Sequence, residues 1–336
     1  MYITEPLSEK YFKIFMGAYN DFRINCKKDY RFELEPLIYD DFIEYFKKGI
    51  IKCILLLEDS IPTAFLAYSE AQDNAIELYV IHCLGVENNT EKRKLLVEAF
   101  LKETEEKRKT SLVSYPMLGI QESFKDVIRN YGFNFVNLAV LNFPITDKKE
   151  TRALEKIRFT DLPIGYKIVQ YRDLYKEELR DCIFKAFSNT SDVNFDPRFK
   201  TINGVNDITN KLVGEIYGKF LNSASRVLLY ENDVVGFSLA NITGSHIANI
   251  PLVGIIPEHR GLGLSEVMLK MTVEEIIKLN KQGVINVDEL NVSTDYDNLP
   301  AVKMYEQLGF KVTYTYPQAF LPISSSFSSF SSSSSL

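Results

Sequence analysis

The sequence contains no tryptophan, few histidines or cysteines, and no long apolar run. No run reaches the roughly 18 residues that a membrane-spanning helix needs, so nothing supports a membrane protein. The first residues lack the basic start and apolar stretch of a secretory signal, and we therefore expect a cytoplasmic protein. The formal net charge of −6 leaves no overall basic surface, which argues against a general nucleic-acid binder.

The four cysteines and three histidines show no metal-ligand spacing. The cysteines are scattered without a C-x-x-C pair, and the histidines lie far apart, so we predict no metal site. Cys53 and Cys83 lie in strand-like apolar runs, where a free cysteine is commonly a buried core residue rather than a nucleophile. This cysteine usage fits a reducing compartment.

The 336 residues, 46% hydrophobic and 25% charged, suffice for two globular domains. The same pattern occurs in both halves: three strand-like runs, a segment with helical apolar spacing, and a Gly-Phe pair followed by another strand. The runs begin near residues 53, 61 and 76 in the first half and near 227, 234 and 247 in the second. We therefore predict a duplicated α/β domain.

The second half contains a short glycine-rich segment between a strand and an amphipathic helix. We call Arg260-Gly261-Leu262-Gly263-Leu264 the glycine loop. Its glycines allow close approach of the main chain to an anion, and the free amides of a helix N-terminus attract phosphate. Arg260 adds a donor fork suited to pyrophosphate. The alternative is a plain strand-to-helix turn in which the glycines serve only the geometry.

A second motif downstream favours the phosphate-binding interpretation. The segment Asn298 to Phe310 follows N-x-x-A-x-x-x-Y-x-x-x-G-F, and Ile255 to Ser265 follows the pattern V-x-P-x-x-R-G-x-G-[IL]-[GS] with isoleucine at its first position. Together the two motifs closely resemble the GNAT superfamily of acyl-CoA-dependent N-acyltransferases. The resemblance covers roughly residues 165–322. It implies that each half is an α/β (α+β) domain with a mixed, mostly antiparallel sheet flanked by helices.

The resemblance also implies roles for individual residues. Tyr305 is expected to act as the general acid that protonates the leaving thiolate, and Asn298 to contact the cofactor arm. The remaining cofactor-binding residues would hold the pantetheine arm along the strand and the pyrophosphate at the loop: Val253, Gly254, Ile255, Arg260, Gly261, Leu262, Gly263, Leu264 and Ser265.

The place where the family often has a basic carboxylate holds Pro251 or Leu252 instead. Glu289 on the next strand is our candidate for the base, with Asp295, Asp297 or water as alternatives. Each of these carboxylates is also explained as a solvated surface charge.

The first half departs from the family pattern. Asn89-Thr90-Glu91-Lys92 stands where the glycine loop is expected, and Ile128 stands in place of the tyrosine. We interpret this half as a degenerate copy, in a tandem arrangement resembling that of mycothiol synthase, whose substrate we do not carry over. The predicted division is a degenerate domain over 1–147, a linker over 148–162, the active domain over 163–322 and a disordered Ser-rich tail over 323–336.

The function implied is that of an N-acetyltransferase, with acetyl-CoA as co-substrate and the primary amine of a small molecule as acceptor, by direct attack in a ternary complex. Two alternatives stay open: a peptide or protein N-acetyltransferase, and a catalytically silent acyl-CoA-binding sensor or scaffold. We expect a monomer or homodimer, with no nucleic-acid or membrane partner.

Overall fold

The computed structural model describes residues 1–30, 36–70, 74–85, 87–119, 121–159, 161–194, 196–243 and 246–323. The chain forms two compact units. Unit 1 comprises Met1–Phe135 and the chain from Ala319 onward, and unit 2 comprises Val136–Gln318. The predicted Ser-rich tail lies outside the described residues from position 324 onward.

Unit 1 is an α/β layer with helices on both faces of its sheet. Its elements in chain order are β1 (Tyr2–Pro6), α1 (Phe12–Tyr30), α2 (Tyr39–Lys47), β2 (Lys52–Glu58), β3 (Ile61–Ser69), β4 (Ala75–Cys83), α3 (Asn89–Glu103), β5 (Leu112–Pro116) and α4 (Glu122–Arg129). Strands β1 to β4 pair antiparallel in chain order, whereas β4 and β5, joined by α3, are parallel.

The apolar run of β2 shows why this sheet is covered on both sides. Alternate residues of a strand face opposite sides of the sheet. Leu55 packs in a core with α1 and α2, and Leu56 packs in a second core with α3 and α4. Both side chains are fully buried, which explains why this strand is apolar throughout rather than alternating.

Unit 2 has the same arrangement with additional strands. Its elements are β6 (Asn134–Pro144), α5 (Lys148–Lys156), β7 (Tyr166–Gln170), α6 (Lys176–Phe187), α7 (Ile202–Val213), β8 (Lys219–Phe220), β9 (Arg226–Tyr230), β10 (Asp233–Ile242), β11 (Ile247–Ile255), α8 (Leu264–Lys281), β12 (Glu289–Asp295), α9 (Leu299–Gln307) and β13 (Lys311–Leu321). The strand order is β7-β9-β10-β11-β12-β6, followed by β13, and the short β8 pairs with β10.

Only one of the registered strand pairs in the described part of unit 2 is parallel, namely β11 with β12, which α8 joins. The fold class predicted from the sequence is therefore confirmed: each unit has a mixed, mostly antiparallel sheet flanked by helices. Among the described residues, no helix is long and apolar enough to cross a membrane.

The limits of the two units differ from the linear division drawn from the sequence. Strand β6, expected to end the first domain, pairs antiparallel with β12 of unit 2, with Asn142 opposite Asn291. The end of β13 contributes Ala319 and Leu321 to the core of unit 1. The alternation of apolar residues along a strand shows which face is buried but not which strand it pairs with. The sequence therefore does not indicate that β6 pairs with β12 or that the end of β13 packs in unit 1.

The segment 148–162, expected to be a linker, contains helix α5. Asp147 caps it, because its carboxylate accepts the main-chain N–H groups of Lys149 at 2.7 Å and Glu150 at 3.3 Å. Leu154 on the inner face of the helix is 1% exposed and joins the core around α8. The polar composition of the segment therefore reflects the exposed face of a packed helix.

Candidate active site

The site begins where β11 and β12 separate. The two parallel strands pair only from Ile247 to Asn249 on β11, opposite Glu289 to Asn291 on β12. Beyond that point both strands line a cavity of about 890 Å³ in unit 2. Pro251 comes two residues after the last pair and has no N–H to continue the ladder. We call the space between the separated strands the strand gap.

The β11 edge of the strand gap carries main-chain groups without a strand partner on that side. The N–H of Ile256 donates to the carbonyl of Val235 at 3.0 Å, so alternate residues from Ile256 backwards face β10. Val253 and Ile255 are the intervening residues and turn their main-chain groups into the strand gap. Such an edge is a template for an extended ligand that adds as a further strand.

Gly254 lies between these two residues for a packing reason. A Cβ at this position would approach the ring of Phe237 to 2.9 Å, with Phe187 and Ala186 next at 3.5 Å. The absence of a side chain allows β11 to lie close to α6 and β10, which sets the shape of the cavity wall.

The glycine loop follows β11 and leads directly into α8. Gly261 and Gly263 have left-handed φ values of +78° and +68°, a conformation that other residues adopt at a cost. A Cβ on either glycine would meet no atom within 4 Å, so the requirement is conformational and the space in front of the loop is open. The loop places the free amides and the positive dipole end of α8 beside the cavity, which suits a bound phosphate.

From the sequence we expected Arg260 to present its full donor fork to the cavity, and the structure differs. Its Nε donates to the carbonyl of Ile255 at 2.8 Å and its Nη2 to the carbonyl of Ala186 at 2.9 Å. Ala186 lies in the last turn of α6, where carbonyl groups lack helical partners. The guanidinium therefore ties the glycine loop to the end of β11 and to α6.

Helix α9 forms the opposite wall and carries the two motif residues. Asn298 caps the helix by accepting the N–H of Ala301 at 3.3 Å. Tyr305, one turn from the end of α9, is 3% exposed and packs on Phe310 with ring centroids 5.8 Å apart. Among the described residues its hydroxyl has no hydrogen-bond partner.

Burial raises the pKa of Tyr305 above its ordinary value, and the negative charge of Asp192 raises it further. The phenol is therefore protonated at neutral pH. A protonated, unpartnered hydroxyl in a cavity wall is available as a proton donor.

The structure brings most of the predicted site residues to this one cavity. Its lining includes Val253, Gly254, Ile255, Arg260, Gly261, Gly263, Leu264, Ser265, Asn298 and Tyr305. Two predicted residues lie elsewhere. Leu262 is 50% exposed and does not line the cavity, and Glu289 is exposed at the start of β12, where it accepts from Asn142 Nδ2 at 2.7 Å.

Polar residues on the α6–α7 side of the cavity were not predicted from the sequence. Arg198 is nearly buried and held by two carboxylates and a phenol: Asp196 at 2.5 Å, Asp207 at 3.1 Å and the hydroxyl of Tyr217 at 2.6 Å. Asp192 lies in a short 3₁₀ turn, Ser191–Asn194, and accepts the Thr190 hydroxyl at 2.6 Å. Arg198 lies in a second short turn, Pro197–Lys200. The two turns lack the periodicity that identifies helices and strands, so only proximity to the cavity reveals these residues.

Residues 198–310 match the model of the Acetyltransferase (GNAT) family. The match contains both the glycine loop and the Asn298-to-Phe310 motif. This part of the chain is therefore similar to the GNAT acetyltransferases, which is consistent with an acyltransferase enzyme.

The GNAT fold is also found over nearly the whole chain in solved structures. The GCN5-related N-acetyltransferase from Sphaerobacter thermophilus is similar with a TM-score of 0.64 at 13% identity, covering 95% of both chains. The tandem GNAT protein from the clavulanic acid biosynthesis pathway has a TM-score of 0.59 at 11% identity, covering 97% of this chain and 100% of that one. Identities this low show the fold alone. No curated protein sequence matches the chain.

A third similarity is to the glucosamine N-acetyltransferase region of a fungal multi-domain β-N-acetylglucosaminidase, with a TM-score of 0.60 at 13% identity. It covers 95% of this chain and 38% of that one. These comparisons support two GNAT-like units in one chain.

In the described part of unit 1, the segments that correspond to the cavity of unit 2 are occupied by buried side chains. Its strands β4 and β5 also pair over only three residues, from Ala75 opposite Leu112. Where β12 continues along the cavity, β5 continues with Tyr115, which is 2% exposed and donates to Gln121 Oε1 at 2.9 Å. At the start of α3, Lys92 is 6% exposed and its ammonium donates to the carbonyl of Leu84 at 3.3 Å.

Proposed function

We propose that unit 2 transfers an acetyl group from acetyl-CoA to the primary amine of a small molecule, by direct attack in a ternary complex. The observation that carries this proposal is the strand gap. It opens into a cavity that has the glycine loop at one side and the buried, unpartnered Tyr305 hydroxyl in its wall. One cavity therefore brings the residues that we propose bind the donor together with a proton donor.

The residues present fit acetyl-CoA. An amide-containing pantetheine arm would pair with the main chain of Val253 and Ile255, which face the strand gap. The amides from Gly261 to Ser265 would hold the pyrophosphate, since the open space in front of both loop glycines accommodates it. Asn298, whose Oδ1 already caps α9, would contact the arm through its free amide nitrogen.

Catalysis would rest on positioning and on proton transfer. Holding the amine and the thioester together replaces a bimolecular encounter with an oriented reaction. The uncharged amine nitrogen attacks the thioester carbonyl carbon, the C–S bond breaks, and the leaving sulfur takes a proton from the Tyr305 hydroxyl. The attached nitrogen then gives its extra proton to the Tyr305 oxygen. Because burial raises the pKa of Tyr305, this proton is retained until the sulfur becomes basic.

The test combines donor binding with turnover. Acetyl-CoA binding is measured by calorimetry, and release of free thiol is measured with a panel of small primary amines and of peptides with free N-termini. We expect saturable donor binding and thiol release with small amines. Tyr305→Phe should lower the turnover number by about 10²-fold or more with donor affinity unchanged, because the lost hydroxyl breaks no hydrogen bond.

Tyr171→Phe is the matched control, because Tyr171 is buried in unit 2 but does not line the cavity. Thiol release with peptides alone would favour a peptide acetyltransferase. Donor binding without turnover on any amine, unchanged in Tyr305→Phe, would show a silent acyl-CoA-binding protein instead.

A further inference from the structure

Three carboxylates line the cavity, and two of them, Glu266 and Asp192, lack a cationic partner among the described residues. Asp196 is paired with Arg198. Glu266, in the first turn of α8, accepts the Ser265 hydroxyl at 3.2 Å beside the glycine loop. Asp192 forms no ion pair, and its one side-chain donor is the Thr190 hydroxyl, which is bonded to Oδ2. Its second oxygen, Oδ1, has no side-chain donor among the described residues.

The surroundings of Asp192 place it close to the reacting groups. Asp192 lines the same cavity as Tyr305 of α9, and its negative charge adds to the effect of burial in raising the pKa of that phenol. Asp192 itself is influenced by Arg260 of the glycine loop and by Asp295 of β12. It therefore lies among the strand gap, the loop and α9, on the side of the cavity formed by the segment between α6 and α7.

The same surroundings favour the protonated form of this carboxyl more than water does. Burial raises the pKa of Asp192 above its ordinary value. The hydrogen bonds from Thr190 and from its own main-chain N–H lower it in part, the charge of Asp295 raises it, and that of Arg260 lowers it. Asp196 and Arg198, which follow in the next turn, neutralise each other as an ion pair.

We propose that Asp192 is the catalytic carboxylate that accepts a proton from the ammonium group of the acceptor. The proposal rests on the proposed function and replaces Glu289, which is exposed and bonded to Asn142 away from the cavity. It also specifies the acceptor: a primary amine that enters in its protonated, positively charged form, attracted by the unpaired carboxylate.

The proton balance of the reaction is complete with these two side chains. One N–H bond of the ammonium breaks, and the proton forms an O–H bond on Asp192. The freed electron pair attacks the thioester carbon, the C–S bond breaks, and Tyr305 protonates the sulfur. The attached nitrogen then loses its extra proton to the Tyr305 oxygen, and Asp192 releases its proton to solvent. The products are the N-acetyl compound, the free thiol and one proton.

The test compares amines that must lose a proton before they attack the thioester with a nucleophile that is already uncharged. Propylamine, ethylenediamine and glucosamine serve as protonated acceptors, and hydroxylamine, uncharged at neutral pH, serves as the reference nucleophile. In Asp192→Asn we expect kcat/KM to fall by about 100-fold or more with the protonated amines and by less than about threefold with hydroxylamine. Asp181→Asn is the control, because Asp181 is an exposed residue of α6 that does not line the cavity.

The remaining outcomes distinguish the role of Asp192 from the proposed function. An equal loss with both kinds of nucleophile, or no loss with either, would overturn the role of Asp192 and leave the proposed function standing. Binding of acetyl-CoA by the wild-type protein without acetylation of any amine would overturn the proposed function, and this inference with it.

Discussion

The guanidinium of Arg260 donates to the main-chain carbonyl of Ala186 at 2.9 Å, so the glycine loop is anchored to the last turn of α6. Because a second donor of the same group holds the carbonyl of Ile255, one side chain fixes three parts of the cavity wall. The arginine of the loop therefore acts on the donor site through the position of the main chain.

This anchoring predicts that Arg260→Ala lowers both stability and donor affinity. Loss of two hydrogen bonds from a charged group should reduce the free energy of unfolding by about 1–3 kcal/mol, measured by urea denaturation. Acetyl-CoA affinity, measured by calorimetry, should fall in the same variant because the loop amides lose their alignment. Arg180→Ala is the control, since Arg180 of α6 forms only ion pairs with exposed carboxylates outside the cavity lining. Weaker binding with unchanged stability would indicate instead that Arg260 contacts the pyrophosphate directly.

A second prediction uses two glycines at opposite ends of α8. Gly263 precedes the helix with φ +68° and Gly283 follows it with φ +69°, and neither Cβ position has a neighbour within 4 Å. Substitution by glutamate therefore imposes the same backbone strain, about 1–2 kcal/mol, at both sites. Only Gly263→Glu places a carboxylate where the phosphates would bind.

Like charges brought together cost several kcal/mol, so we expect Gly263→Glu to weaken acetyl-CoA binding by about 100-fold or more. Gly283→Glu should lose somewhat more stability in thermal unfolding, because a negative charge is unfavourable at a helix C-terminus, and keep wild-type affinity. Equal acetyl-CoA affinity in the two variants would show that the glycine loop is only a strand-to-helix turn.

The parts of the structure that were predictable are those with local signals. Alternation and apolar periodicity located the central strands of both units and the helix that follows them, and the glycine loop and Tyr305 were found because each belongs to a short motif with fixed spacing. The separation of β11 from β12 then brings these distant segments to one cavity.

What could not be predicted depends on tertiary placement. Whether Glu289 or Asp192 faces the cavity is decided by where the strand gap opens and by an irregular turn after α6, and neither has a periodic signature. The guanidinium of Arg260 donates to the main-chain carbonyls of Ile255 and Ala186. Every residue has such a carbonyl, so the sequence does not indicate which ones Arg260 contacts. The exchange of β6 and the end of β13 between the units depends on pairing partners that alternation does not encode.

The raised pKa of Asp192 predicts that Asp192→Asn keeps or increases the stability of the protein at neutral pH, although it lowers turnover. Burial disfavours the ionised carboxylate in the folded state, so this residue costs the protein stability at neutral pH. The cost disappears as the pH falls below the ordinary aspartate pKa of about 3.9, where the group is protonated in both states. Asp192→Asn should therefore unfold at an equal or higher urea concentration than the wild type at pH near 7, and the difference should shrink towards about pH 4. A variant that is less stable at neutral pH would show that the carboxylate has a structural role.

The last prediction concerns the number of donor sites in the chain. The start of α3 in unit 1 has no glycine, and its Lys92 ammonium is directed to the carbonyl of Leu84 at 3.3 Å rather than to an open loop. Thr90 is exposed in the first turn of this helix, where an added glutamate is favourable by about 0.3–1 kcal/mol. We expect calorimetric titration of the whole chain to give one acetyl-CoA per chain.

Thr90→Glu should leave the affinity within about twofold of wild type, in contrast to a glutamate at Gly263 at the start of α8 in unit 2. A stoichiometry of two, or a loss of binding in Thr90→Glu, would mean that unit 1 retains a donor site. One site with unchanged affinity would assign donor binding to unit 2, where the two left-handed glycines Gly261 and Gly263 lie directly before the helix.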